Sequence, residues 1–380
     1  MSVGMLLPVS RSLYYFGNHM EPGEQHWLNR ELHSLVQLKE TERLWHIPLL
    51  ASLCVGLPIL IGFYLGHPEF GLGACISGFV ILYLPPTSVT HRMITLIGAS
   101  YGFLIAFTLG IATSFHPVVS AVSLGVFAFI VHWVTNYLGM RPPGNFFFLM
   151  IAAIAGCMPF DLNTIPLRVG LMALGSMLAC TLGFFYSLYI TRKYPPVTEP
   201  VKRKSRYTSI FESVILGVFM AISVLAGHFM TENNPYWVPV SCMAVMQGVG
   251  LQHVWQRSFQ RIVGTIIGLG LAWVLLKLEM NMLQTFISIM LLQFIMEMLI
   301  VRNYALAVIV MTPLTIFLAE SHTPAIDPDI LVFARLKDIV IGSLIGAVAG
   351  WFVYHEKLRY KAVRQMRKTS VAIGRKIRPH

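Results

Sequence analysis

Two arginines four residues apart, Arg257 and Arg261, are the residues best suited to chemistry in this chain. On a helix they share one face, and their planar forks match the two oxygens of a carboxylate. Arg261 is flanked by Phe259 and by Ile262-Val263, where a long apolar run begins. An ion in lipid is costly and has to be paired or wetted, so such a group is a functional candidate. The competing use is anchoring, with the side chain snorkelling to headgroups. Arg257, nearer the polar turn, fits anchoring better, and Arg261 fits anion binding better. A second cluster is Arg335, Lys337 and Asp338, where the three-residue spacing suits a helical ion pair as well as a role in a pore. Glu297 lies inside an apolar run five residues before Arg302, which it could pair with, or it could carry a coupled proton. Gln247, Gln293 and Asn303 could bond a substrate or tie helices together.

The chain that must position these groups has 380 residues, 56% of them hydrophobic and 12% charged, with a mean hydropathy of +0.67. Soluble domains carry about 25% charged residues. Too little polar surface remains to cover the chain in water, so it reads as an all-α polytopic membrane protein. Its formal charge of +11 comes from two places. Fifteen of the 28 Lys and Arg fall between 192 and 206 or beyond 355. That pattern fits the positive-inside rule and contact with anionic membrane lipids, and it removes nucleic acid as a partner. The five cysteines sit in or beside apolar runs without metal-binding spacing, so they read as small hydrophobes. No signal peptide is expected, because the first long apolar stretch begins near Leu44.

Twelve apolar spans can be traced, near 45–65, 71–84, 93–112, 117–137, 145–160 and 167–190, then 209–229, 236–250, 262–277, 282–300, 304–319 and 334–354. The second, fifth, eighth and eleventh are shorter than the roughly 20 residues a crossing requires. They either extend through polar flanks or are broken helices lining a cavity. Residues 1–44 form an N-terminal arm, in which Glu24 to His46 could make an amphipathic helix or stay frayed.

A shift of 166 residues places Gly264 and Gly268 on Gly98 and Gly102. A shift of 167 places Arg335, Gly342 and Gly350 on Arg168, Gly175 and Gly183. Two glycine patterns at nearly one offset predict a tandem duplication: 45–191 and 209–355 as parallel six-helix repeats, joined by a basic linker at 192–208 and followed by a basic tail at 356–380. The linker and tail are then cytoplasmic, as are both termini. Gly98, Gly102, Gly264, Gly268, Gly342, Gly346 and Gly350 read as close-packing faces, with the third and sixth spans of each repeat packed on each other or across the repeat interface. The equivalence of Arg168 and Arg335 predicts two symmetric basic sites. No nucleotide loop, metalloprotease helix or nucleophile elbow is present, so neither an enzyme nor a cofactor is expected.

A more specific pattern lies in the second repeat. Tyr236-Trp237 is followed by Gln260-Arg261-Ile262-Val263-Gly264-Thr265 with Gly268, then by Arg302-Asn303-Tyr304, Thr312-Pro313-Leu314, Arg335, Asp338 and Gly342. In order and spacing these residues resemble the fusaric acid resistance protein-like family over roughly 207–356. That family includes bacterial aromatic acid exporters and is related to plant aluminium-activated malate transporters. The resemblance implies an inner-membrane exporter of organic anions, with a passive anion channel or a non-transporting scaffold as alternatives. Together with the residue reading above, the candidate substrate contacts are Arg261, Arg257, Arg335, Arg168, Gln247, Tyr236 and Trp237, and the candidate coupling residues are Glu297 and Asp338. A homo-oligomer is left open. The chain departs from the family in lacking a large soluble domain. Its first repeat also has Phe70-Gly71 and Thr95 where the second has Tyr236-Trp237 and Arg261.

Overall fold

Each apolar segment of the sequence contains a helix. The computed structural model describes residues 34–41, 43–194, 205–230, 234–278, 280–320 and 328–377. Among these there is no strand. The helices are α1 His46–Tyr64, α2 Pro68–Cys75 (tightening to a 3-10 helix over Ile76–Tyr83), α3 Val89–Thr113, α4 Pro117–Leu138, α5 Phe146–Gly156 and α6 Ile165–Lys193. They continue with α7 Arg206–Met230, α8 Trp237–Met246, α9 Leu251–Leu276, α10 Met282–Leu299, α11 Tyr304–Glu320, α12 Pro328–Tyr354 and α13 Glu356–Ile377.

Eight of these helices are long and apolar enough to cross a membrane: α1, α3, α4, α6, α7, α9, α10 and α12. Their outward faces are apolar where a soluble protein would be polar. Val118, Val122 and Val126 make a stripe on α4 at four-residue spacing, and all three are exposed. Such a stripe needs a hydrocarbon solvent. The chain is a multi-pass membrane protein.

The remaining apolar helices, α2, α5, α8 and α11, are short. No described residue of α5, α8 or α11 is exposed, and in Pro68–Tyr83 only Glu69 is. They are enclosed by other helices, so they need not match the thickness of the bilayer. All four line one cavity. They do not extend through polar flanks.

The two halves of the chain use the same set of helix contacts. α3 packs on α5 and α6 as α9 packs on α11 and α12, α2 meets α6 as α8 meets α12, and α1 meets α2 as α7 meets α8. The halves join at α4 against α7 and at α10 against α1. Close approach is carried by small residues in the second half. A Cβ on Gly268 would lie 2.7 Å from the Ile309 carbonyl oxygen of α11, and one on Gly346 would lie 2.6 Å from the Cys242 oxygen of α8. The glycine faces therefore mostly receive the short helices, while the third and sixth spans of each half also pack on each other, as expected. Gly350, against Val254 of α9, and Gly183, against Leu96 of α3, lie on those contacts. Gly98 has nothing within 4 Å and lines the cavity, so it is not a packing residue at all.

The described part of the arm, from residue 34, differs from both readings. Residues before 34 lie outside the described ones. Residues 34–36 are helical, 37–41 are irregular, and the chain turns helical again only at His46. This segment is stitched to the second half. Asn303 Nδ2 donates to the carbonyls of Ser34, Leu35 and Gln37 at 3.0–3.1 Å, and the Lys39 amide donates to the Arg302 carbonyl at 3.0 Å.

Candidate functional site

The arginine pair is placed by α9, whose apolar face packs against α11 and α12. That face includes Val254, Gly264, Gly268 and Leu269. Arg261 falls on it and is 3% exposed. Its guanidinium is held in place: Nε donates to Ser241 Oγ of α8 at 2.8 Å, and Nη1 donates to Tyr304 Oη of α11 at 3.1 Å. Arg257, one turn earlier, places its guanidinium carbon 4.4 Å from the centre of the Tyr304 ring. Its Nε is buried with no hydrogen-bond partner. One tyrosine thus holds both arginines, by its hydroxyl and by its ring face. Neither arginine forms an ion pair among the described residues, and a buried cation without a counter-ion favours any anion that reaches it.

Both arginines line a cavity of about 2250 Å³ that is walled by the two halves of the chain. Drug-sized ligands occupy pockets of roughly 300–1,000 Å³, so this space has the size of a passage. Its wall carries five arginines (Arg43, Arg141, Arg168, Arg257, Arg261) against two glutamates, Glu69 and Glu297. The rest is mostly apolar and aromatic, with Phe79 and Phe147 stacked at 4.8 Å between centroids. Phe70, Tyr83, Tyr236 and Trp237 extend that aromatic lining.

The residues singled out in the sequence divide into two groups here. Arg257, Arg261, Gln247, Tyr236, Trp237, Arg168 and Glu297 all line the cavity. Arg335 and Asp338 do not. The Arg335 guanidinium carbon lies 3.1 Å from the centre of the Trp237 ring, and its Nη2 donates to Thr315 Oγ1 at 2.6 Å. Trp237 lines the cavity and Arg335 sits against its ring, whereas Arg168 reaches the wall with Nη1 donating to the Pro159 carbonyl at 3.3 Å. The two symmetric basic sites expected from the repeat are absent from this arrangement. Asp338 is 1% exposed and its Oδ1 has no hydrogen-bond partner.

Glu297 is also placed differently from the sequence reading. Its partner is Arg43, with Nη2 donating to Oε2 at 2.8 Å and Nη1 to the Glu297 carbonyl at 3.2 Å. Arg302 is exposed. Gln293 is fully buried with both amide atoms unpaired, and Asn303 holds the N-terminal segment.

Sequence reasoning missed Ser241, Tyr304 as a ligand of the arginines, and a partly buried polar chain. Gln247 Nε2 donates to Asn145 Oδ1 at 3.0 Å, and Asn145 Nδ2 lies 3.1 Å from His132 Nδ1. His132 Nε2 then faces Glu212 Oε2 at 3.8 Å. The signal for Tyr304 was its place directly after Arg302-Asn303 in the motif. Nothing in the sequence joins residues 132, 145, 212 and 247.

Residues 218–349 match the family described as fusaric acid resistance protein-like. The matched segment runs from α7 into α12 and includes Ser241, Arg257, Arg261 and Tyr304, and it falls within the stretch that carries the sequence resemblance. The chain is also similar to YvaC, an uncharacterized membrane protein of Bacillus subtilis (strain 168). The two are 22% identical over 450 residues, covering 80% of this chain and 71% of that protein. No solved structure matches the chain.

Proposed function

We propose that this multi-pass membrane protein, whose second half matches the fusaric acid resistance protein-like family, exports organic anions through the cavity between its halves. The observation that carries this reading is the unpaired Arg257–Arg261 couple on an aromatic wall. Two fixed cations suit the carboxylate, and the surrounding rings suit an aromatic or other apolar body. The repeated helix contacts support parallel six-helix repeats, with the short helices completing twelve spans. The basic segments at 192–206 and beyond 355 support an orientation with both termini cytoplasmic in a bacterial inner membrane. Export driven by a proton gradient accounts for the intramembrane ionisable groups.

The test is flux in proteoliposomes, with benzoate and a panel of aliphatic carboxylates, with and without a pH gradient, for the wild type and Arg261→Gln. Gradient-driven movement of one anion class that falls at least about tenfold in Arg261→Gln is the expected result. Downhill flux that a gradient cannot drive uphill would make the protein a channel. No flux of any anion would leave a scaffold and remove the transport role of both arginines.

A further inference from the structure

The partly buried chain Gln247–Asn145–His132–Glu212 crosses between the halves twice: Gln247 on the cavity wall and Glu212 of α7 belong to the second half, Asn145 and His132 to the first. Asn145 and Glu212 are 5% and 6% exposed. We propose that His132 is a proton-binding site whose charge decides whether Gln247 presents an acceptor or a donor to the cavity, so that binding a proton favours binding an anion. This assigns a coupling site within the exporter reading and rests on it.

The argument is one of hydrogen-bond polarity. A primary amide has an acceptor oxygen and a donor NH2 that exchange places when it rotates by half a turn. A neutral imidazole has one donor and one acceptor nitrogen. Glu212 Oε2 is the carboxylate oxygen beside Nε2, 3.8 Å away and outside hydrogen-bond distance, and its charge favours the proton of neutral His132 on Nε2, so that Nδ1 accepts. Asn145 must then offer its NH2 to Nδ1 and its oxygen to Gln247. Gln247 donates to that oxygen and is left with its own carbonyl oxygen for the cavity. The observed contacts have this polarity. An acceptor facing the cavity repels a carboxylate.

Protonation reverses each link. A proton from water adds to Nδ1, which becomes a donor, while Nε2–H continues to face the Glu212 carboxylate. Asn145 must turn its oxygen to Nδ1 and its NH2 to Gln247. Gln247 then accepts with its oxygen and presents its NH2 to the cavity, where it adds a donor to the field of Arg257 and Arg261. A buried amide left facing the wrong way would waste two hydrogen bonds, and this keeps the chain all-or-none. Histidine is the side chain whose charge ordinarily changes between about pH 5 and 8.

The groups around His132 are consistent with this role. α7 contributes Glu212, which in turn interacts with Tyr354 of α12, and that tyrosine also feels Arg359 of α13. α5 has no titratable side chain. The titratable groups of α3 are engaged elsewhere or exposed: His91 on Thr87, Arg92 towards Tyr186, and Tyr101 at the surface. The junction of α10 against α1 holds the ion pair Glu297–Arg43.

The test is benzoate binding to the purified full-length protein in detergent, by calorimetry from pH 5.5 to pH 8, a range in which this carboxylate stays ionised. Wild-type affinity is expected to rise about tenfold towards pH 5.5, the worth of one hydrogen bond to a charged group. His132→Gln and Asn145→Ala should each abolish the slope, the first by removing the proton site and the second by cutting its link to Gln247. Glu212→Gln should keep the slope, because the link from His132 to Gln247 is left intact. Should His132→Gln fail to give a monodisperse protein, the other two variants still decide. His91 and His253 also line the cavity, so a slope that survives in His132→Gln or Asn145→Ala overturns the relay. A flat wild-type profile with measurable binding overturns the relay and leaves the exporter standing. Absence of benzoate and aliphatic carboxylate binding at every pH overturns both.

Discussion

Arg43 and Glu297 are separated by 254 residues and joined by an ion pair of 2.8 Å. The pair ties the segment before α1 to α10, at a wall of the cavity. Glu297 is 3% exposed, so its charge depends on this one partner. Arg43→Ala should lower stability by about 3 kcal/mol, the usual cost of leaving a buried charge uncompensated. Arg43→Ala combined with Glu297→Gln should recover part of that loss. Thermal unfolding in detergent checks both, and equal melting for the single and double variants would show that the carboxylate is tolerated alone.

Tyr304 holds two arginines by two different means, so its substitutions should act in steps. Tyr304→Phe removes the bond from Arg261 but keeps the ring under Arg257. Benzoate binding should weaken about tenfold, the worth of one bond to a charged group. Tyr304→Ala also removes the cation–π contact and should weaken it further, by about another fivefold. Identical affinities for the two variants would mean that the ring contributes nothing.

Gly268 and Gly98 are predicted to respond in opposite ways to one methyl group. In Gly268→Ala the new carbon meets the Ile309 oxygen at 2.7 Å and Thr312 Cβ at 2.8 Å, and overpacking should cost about 1–3 kcal/mol. In Gly98→Ala nothing is met within 4 Å, and helix propensity should make it neutral or stabilising by up to about 1 kcal/mol. Melting temperatures of the two variants compare them directly.

Trp237 covers the guanidinium of Arg335 with its ring at 3.1 Å. Trp237→Leu should cost about 2 kcal/mol for the desolvated cation–π contact. Trp237→Phe, which keeps a smaller aromatic face, should cost less. A melting temperature ordered the other way would locate the stabilisation in the size of the side chain.

Much of the fold was legible before any coordinates. Hydropathy is a local property, and each apolar segment contains a helix, although α9 begins at Leu251, eleven residues before the expected span, because its polar first turns carry the arginines. The four short segments were visible as short. Arg257 and Arg261 share a helix face because their spacing is one turn, and both reach the cavity. The matched block from Tyr236 to Gly342 fell inside the segment that matches the family. Gly98 was misread because a glycine shows only that a close approach is allowed. Whether a neighbour arrives depends on the opposite helix.

The sequence by itself determined the solvent, the helical class, the apolar segments and the basic turn on α9, since each follows from composition and period within a few residues of chain. The tertiary structure decided the partners. It gave Glu297 to Arg43 in place of Arg302, set Arg335 against Trp237, and brought Gln247, Asn145, His132 and Glu212 into one line. A buried polar group has to find its counterpart among whatever packing brings near it. That choice depends on segments distant in the chain, and no local pattern carries it.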